Sequence, residues 1–211
     1  MSETLTSETV EIYPRLDYRM STGSGQRQDG ADFLLDFSVK ITVLTDSIEE
    51  PEVTSDPHLG NLRATLIRVS RAFEEDYCLF DVFDQTQELS DLGSHLFTRD
   101  FESFTAPVRE AFLYAEDHLD ILLVRELTLH PAARGQRAGI SALHRFITDW
   151  EGNCSFVAIQ AQPLQFLSGH DGWDGWQDAS LSGFAEDRQQ ATANLENHYR
   201  GLGFQKVEKV P

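Results

Sequence analysis

The stretch Arg125-Glu126-Leu127-Thr128-Leu129-His130-Pro131-Ala132-Ala133-Arg134-Gly135-Gln136-Arg137-Ala138-Gly139-Ile140 decides how this chain folds. It closes the most apolar segment of the sequence, 120–129, whose density of Leu, Ile and Val marks a buried strand. Pro131 ends that strand, because it has no N–H to give a ladder. A helix is expected over 134–150, with Ile140, Leu143, Phe146 and Ile147 on its apolar face. A glycine-containing turn that runs into a helix start presents unpaired backbone N–H groups and the positive end of the helix dipole. Arg134 and Arg137 add two cations at the same place, so the turn suits a pyrophosphate. The competing reading is an ordinary strand-to-helix connection whose glycines only permit tight packing. The Rossmann and Walker glycine patterns do not occur in the chain.

Downstream, a buried strand is expected at 155–161, a helix at 187–200 and a closing strand at 203–208. Upstream, strand-like stretches cover 9–20, 33–45 and 61–73, and Phe37, Val39, Ile41 and Val43 alternate with polar neighbours. Helices are expected at 86–97, where Leu89, Leu92 and Leu96 recur at three and four, and at 105–116, where Pro107 suits a first turn. Loops are expected at 21–31 and 47–60. Strands first and then β-α-β-α-β make a single α/β domain over 1–211, a mixed central sheet flanked by helices. Residues 1–60 are either its first strands or an extension. The segment 162–186 is too long for a simple connection. Its Trp173 and Trp176, with Asp171, Asp174 and Asp178, suit a wall for a cationic amine, or a lid packed onto the body.

The chain has 211 residues, with 35 Asp plus Glu against 17 Lys plus Arg and a formal charge of −18. That balance argues against a surface for nucleic acid or anionic lipid, since phosphate binding needs clustered cations. It leaves open a solubility role or a field that attracts a cationic substrate. Cys78 and Cys154 are too few for a disulfide framework or a zinc site, and their apolar surroundings predict buried free thiols. The polar, acidic start and the lack of an apolar run near ~18 residues predict a cytoplasmic protein.

Residues 127–139 resemble the acetyl-CoA signature of the GNAT superfamily of N-acetyltransferases: a strand, a Pro, then Arg/Gln-x-x-Gly-x-Gly/Ala. His198-Tyr199-Arg200-Gly201-Leu202-Gly203-Phe204 is similar to that family's closing Tyr-x-x-x-Gly-Phe motif, in the same order and register. The resemblance covers about 119–209. Arg137 departs from it, standing where the first motif glycine is usual, and Thr192 stands where an Asn is often found, with Asn194 nearby.

The resemblance implies acetyl-CoA held between two splayed parallel strands, 120–129 and 155–161, with no metal. Pantetheine would pair with backbone at Leu127 to Leu129, and the pyrophosphate would sit on Arg134, Gly135, Gln136, Arg137, Ala138 and Gly139, with Asn194 near the cofactor. Tyr199 matches the acid that protonates the leaving thiolate, and Glu126 is the candidate base for a primary amine. Trp173, Asp174 and Trp176 are the candidate acceptor contacts, the acceptor being a small-molecule or peptide amine. A homodimer stays open. Two alternatives compete: a non-catalytic acyl-CoA sensing domain, and a toxin that acetylates aminoacyl-tRNA, which the negative charge disfavours.

Overall fold

The computed structural model describes residues 14–22, 29–43, 58–112, 119–166, 184 and 187–207. Five strands lie in chain order across one sheet: β1 (Pro14–Thr22), β2 (Leu34–Val43), β3 (His58–Ile67), β4 (Ile121–Leu129) and β5 (Phe156–Ile159). The first four pair antiparallel and β4 pairs β5 in parallel, so the sheet is mixed, as expected. A parallel pair needs a crossover. Here it is α5 (Ala138–Trp150).

Each face of the sheet carries its own core. On one face lie α1 (Val69–Glu74), α2 (Leu79–Phe83), α3 (Gln87–Leu96) and α4 (Ala106–Ala111). They bury Phe33, Phe83, Phe97 and Val108 against Ile67, Ile121 and Leu123 of the strands. Phenylalanine dominates this core, and Phe97 stacks on Phe104 with ring centroids 4.6 Å apart. On the other face α5 buries Ala142, Leu143 and Phe146 against Phe37, Val39, Ile41, Leu62, Leu122 and Val124. Phe37 packs against the C-terminal half of that helix, edge-on to Phe146 at 5.8 Å and tilted against Trp150 at 4.4 Å. The alternation read in β2 is therefore literal: Phe37, Val39 and Ile41 point at α5 and their neighbours do not.

Several expectations need correction. The stretch 61–73 is not one strand, since β3 stops at Ile67 and Val69 opens α1. Helices of six and five residues, α1 and α2, show too little periodicity for sequence to reveal them. The helix expected from 134 begins at Ala138, because Gly135 and Arg137 both take positive φ. Pro107 does sit in the first turn of α4. Residues 203–207, after α6 (Arg188–Gly201), form no strand, although residues 204–207 line a cavity together with β5. Cys78 is exposed just before α2, whereas Cys154 is half-buried and its burial pushes the thiol's pKa up. Among the described residues no helix is long and apolar enough to cross a membrane.

The β3–β4 contact is tightest at Gly60, opposite Leu129. A Cβ built there would lie 2.0 Å from the Thr128 carbonyl oxygen, which is backbone and cannot swing aside. Gly60→Ala should therefore destabilise the fold by about 1–3 kcal/mol, the usual cost of overpacking. Urea unfolding followed by circular dichroism measures it, and an unchanged midpoint would contradict this packing.

Candidate functional site

The site grows from an irregularity in β4. Arg63 of β3 pairs with Glu126 and Ala64 pairs with Val124, so Arg125 is an extra residue, a β-bulge. Before it, Leu122 and Val124 face the α5 core; after it, Leu127 and Leu129 do. The bulge thus shifts the alternation by one and puts Arg125 and Glu126, consecutive residues, toward partners outside that core. Arg125 clamps Glu88 of α3, its Nη2 2.5 Å and its Nε 2.6 Å from the same carboxylate oxygen. Glu126 is buried, with Arg63 Nη1 3.9 Å from Oε1.

The bulge also marks where the sheet opens. The β4–β5 register runs from Ile121↔Phe156 to Val124↔Ile159 and stops. Beyond Val124, β4 continues for five residues with no ladder partner on the β5 side among the described residues. At the end of this gap the Leu129 carbonyl accepts from Arg134 Nε at 3.2 Å and Nη2 at 3.0 Å. Arg134 is itself half-buried, which lowers its pKa, and its guanidinium lies 4.8 Å from the Phe184 ring centroid.

The turn that follows is built for backbone exposure. His130 Nδ1 accepts from Ala132 N at 3.3 Å and starts a single turn of 3-10 helix at Pro131–Ala133. Gly135 has φ +74 and Arg137 has φ 61, a left-handed conformation that costs an L-residue strain. Arg137 is the N-cap of α5, yet no side chain caps that helix start. The Gln136 amide donates to the Ala132 carbonyl at 3.2 Å. Gly139 has a different use from its neighbours. A Cβ there would sit 3.0 Å from Leu129 Cδ1, so its bareness lets α5 settle on β4.

On the opposite face of the sheet from α5 lies a cavity of about 380 Å³, bounded by α3, β5, α6 and residues 204–207. Tyr199 of α6 lines it, edge-on to Phe204 with centroids 6.0 Å apart, and burial raises the phenol's pKa above its ordinary value. Asn194 does not reach this cavity; it stands on the exposed side of α6, accepting from Gln190 Nε2 at 2.9 Å. Glu126 is not among the lining residues either, and Leu127 and Leu129 turn their side chains to α5. Trp173, Asp174 and Trp176, with Asp171 and Asp178, lie outside the described residues.

Sequence reasoning missed the contribution of α3. Glu88, Asp91 and His95 line the cavity beside Leu92 and Leu96. Their spacing of three and four was a readable polar stripe along the same helix as Leu89, Leu92 and Leu96. His95 Nδ1 lies 2.7 Å from the Asp91 carbonyl oxygen. A carbonyl only accepts, so Nδ1 carries a proton and Nε2 is the ring nitrogen left to take or give one. Among the described residues no group of three or more His, Cys, Asp or Glu has the geometry to hold a metal ion.

Searches with this chain matched no protein-family model, no curated protein and no solved structure. The geometry of the site is accordingly the ground for any functional reading.

The left-handed Arg137 offers a direct check on the turn. Arg137→Gly relieves a strain of about 1–2 kcal/mol and regains somewhat less in backbone entropy cost, so it should stabilise the fold by about 1 kcal/mol or less. Thermal denaturation reads the sign. A lower midpoint would mean that the arginine side chain holds the turn together.

Proposed function

We propose that this protein is an acetyl-CoA-dependent N-acetyltransferase with a GNAT-like arrangement, acting on a primary amine by direct attack. The observation that supports it most is the sequence of three devices along one strand and turn: a bulge at Arg125, a gap between β4 and β5, and an uncapped start to α5. A gap five residues long suits a pantetheine arm, which needs backbone partners at intervals. The α5 start, with Arg134 and Arg137, suits the pyrophosphate. Bound there, acetyl-CoA supplies an activated acetyl carbon whose thiol leaves when an amine attacks.

The chain's own residues then have separate tasks. A backbone N–H beside the bulge donates to the acetyl oxygen as charge gathers on it. Tyr199 gives its proton to the departing sulfur, and its raised pKa keeps that proton in place well into alkaline solution. The amine reaches the site as an ammonium with a pKa near ~10 and must be deprotonated. Glu126, beside the bulge, is the first candidate to take that proton. His95 competes with it, because it lines the cavity with Tyr199 and its Nε2 is the ring nitrogen left to take a proton.

The test is thiol release from acetyl-CoA across an amine panel, alongside calorimetry with CoA. Tyr199→Phe should cut kcat by about 100-fold, a typical loss for one general acid, and leave CoA affinity unchanged. In the wild type, loss of the Tyr199 proton should produce no alkaline fall in kcat below pH ~10, since burial moves the phenol upward from its ordinary value. His95→Gln and Glu126→Gln, profiled separately, assign the base: the variant that loses the acidic limb of kcat/KM has lost it. CoA binding with no turnover on any amine would favour a sensing domain, and no CoA binding would end the proposal.

A further inference from the structure

The cavity beside Tyr199 has a floor and a rim of opposite character. Phe112 and Phe156 stack with centroids 4.8 Å apart and planes 17° from parallel, and with Leu123 they form an apolar platform. The rim is charged, yet most of its charge is already spent. Glu88 is clamped by Arg125 and Glu196 pairs with Lys206 at 3.0 Å, whereas Arg200, on α6, donates at 2.7 Å to Asn197, a neutral amide that leaves its charge in place. Asp91, on α3, accepts from the Gln87 amide at 2.9 Å and is the rim carboxylate with no ion pair among the described residues.

We infer that this cavity is the acceptor site and that its occupant is an amphipathic primary amine, an aryl or alkyl body on the Phe112–Phe156 platform with its ammonium at Asp91. Its volume of about 380 Å³ lies within the range of about 300–1,000 Å³ usual for small-ligand pockets. An apolar body gains from leaving water for the aromatic floor, and a polyamine, charged along its length, would have to shed its hydration there. A carboxylate of the same shape is repelled by Asp91 and has Arg200, on α6 rather than α3, as its alternative contact. The position favours acceptance, since Tyr199 lines the same space and the cavity lies across the sheet from the α5 turn. Calling the occupant the acceptor rests on the acetyl-transfer reading; its binding does not.

In the transfer step the amine nitrogen bonds to the acetyl carbon as the carbon–sulfur bond breaks. One ammonium proton has gone to the base, and the thiolate takes the Tyr199 proton. The nitrogen's second proton restores the phenol, so the sum is amide, thiol and one released proton.

The experiment compares 2-phenylethylamine, 3-phenylpropionate and spermidine as ligands of the full chain, by calorimetry without cofactor. Phenylethylamine should bind, and each of the others should bind at least about tenfold more weakly, the value of one charged contact. Asp91→Asn should cost phenylethylamine about tenfold on the same ground. Ala158→Phe should block the cavity, and Ala161→Phe, beyond the end of β5, serves if the first variant does not fold. Spermidine or 3-phenylpropionate binding as tightly as phenylethylamine, or phenylethylamine indifferent to both Asp91→Asn and the filling variant, overturns the inference. Thiol release with spermidine but not phenylethylamine also overturns it while leaving acetyl transfer standing. Phenylethylamine binding with no thiol release supports the cavity's ligand class and removes the transfer chemistry.

Discussion

One extra residue in β4 governs the arrangement of the whole site. In a regular strand the side chains would alternate from Ile121 to Leu129 without a break. Arg125 interrupts that alternation, and two consequences follow together. Leu127 and Leu129 keep a place in the α5 core that strict alternation from Leu122 and Val124 would have denied them. Arg125 and Glu126 fall on the side of α3 and Arg63, where their charges find partners. A bulge also strengthens local twist, and the β4–β5 pairing ends at the residue just before it. The core packing and the opening of the sheet are therefore one structural event.

That event needs support from both faces. The Arg125–Glu88 clamp ties the bulge to α3, and α3 is in turn seated by Phe83, Leu89 and Leu96 in the phenylalanine-rich core. A Cβ at Gly93 would meet Phe83 and Phe101 at 2.9 Å, so α3 lies as close to those rings as its backbone allows. On the other face Gly139 and Ala142 let α5 approach the strands, which brings its N-terminus to the end of β4. The turn before α5 and the cavity are held by different helices across the same sheet. Displacing either helix would move one half of the site against the other.

Much of this was legible in the sequence, for reasons that can be named. Long periodic segments were read well: α3 from Leu89, Leu92 and Leu96, and β2 from Phe37, Val39 and Ile41. The strand–Pro–turn–helix order at 121–150 was also visible, because Pro131 and the glycines punctuate it. A bulge in this strand followed only from the family resemblance, and its place at Arg125 was not legible, since nothing in Arg125-Glu126 distinguishes a bulged pair from an alternating one. Nor could the chain show that Arg137, and not only Gly135, would take positive φ. Short helices such as α1 escape periodicity altogether. The stripe of Glu88, Asp91 and His95 was readable as a pattern, but its value depended on α6 arriving opposite it, a long-range contact.

The formal charge of −18 can be weighed again with distances in hand. At physiological ionic strength, exposed charges are screened beyond about 8 Å. The turn before α5 therefore feels Arg134 and Arg137 far more than the acidity of the remainder, and the overall sign is no obstacle to a polyanion there. The same screening confines the cavity to its own rim. Glu88 and Glu196 are neutralised by Arg125 and Lys206, so the field inside is set by Asp91 on α3 and Arg200 on α6 rather than by a count over the chain. A net charge summed over the whole surface thus resolves into a few local charges, two cations at the turn and an unpaired carboxylate facing α6 across the cavity, on opposite faces of a sheet that opens between them.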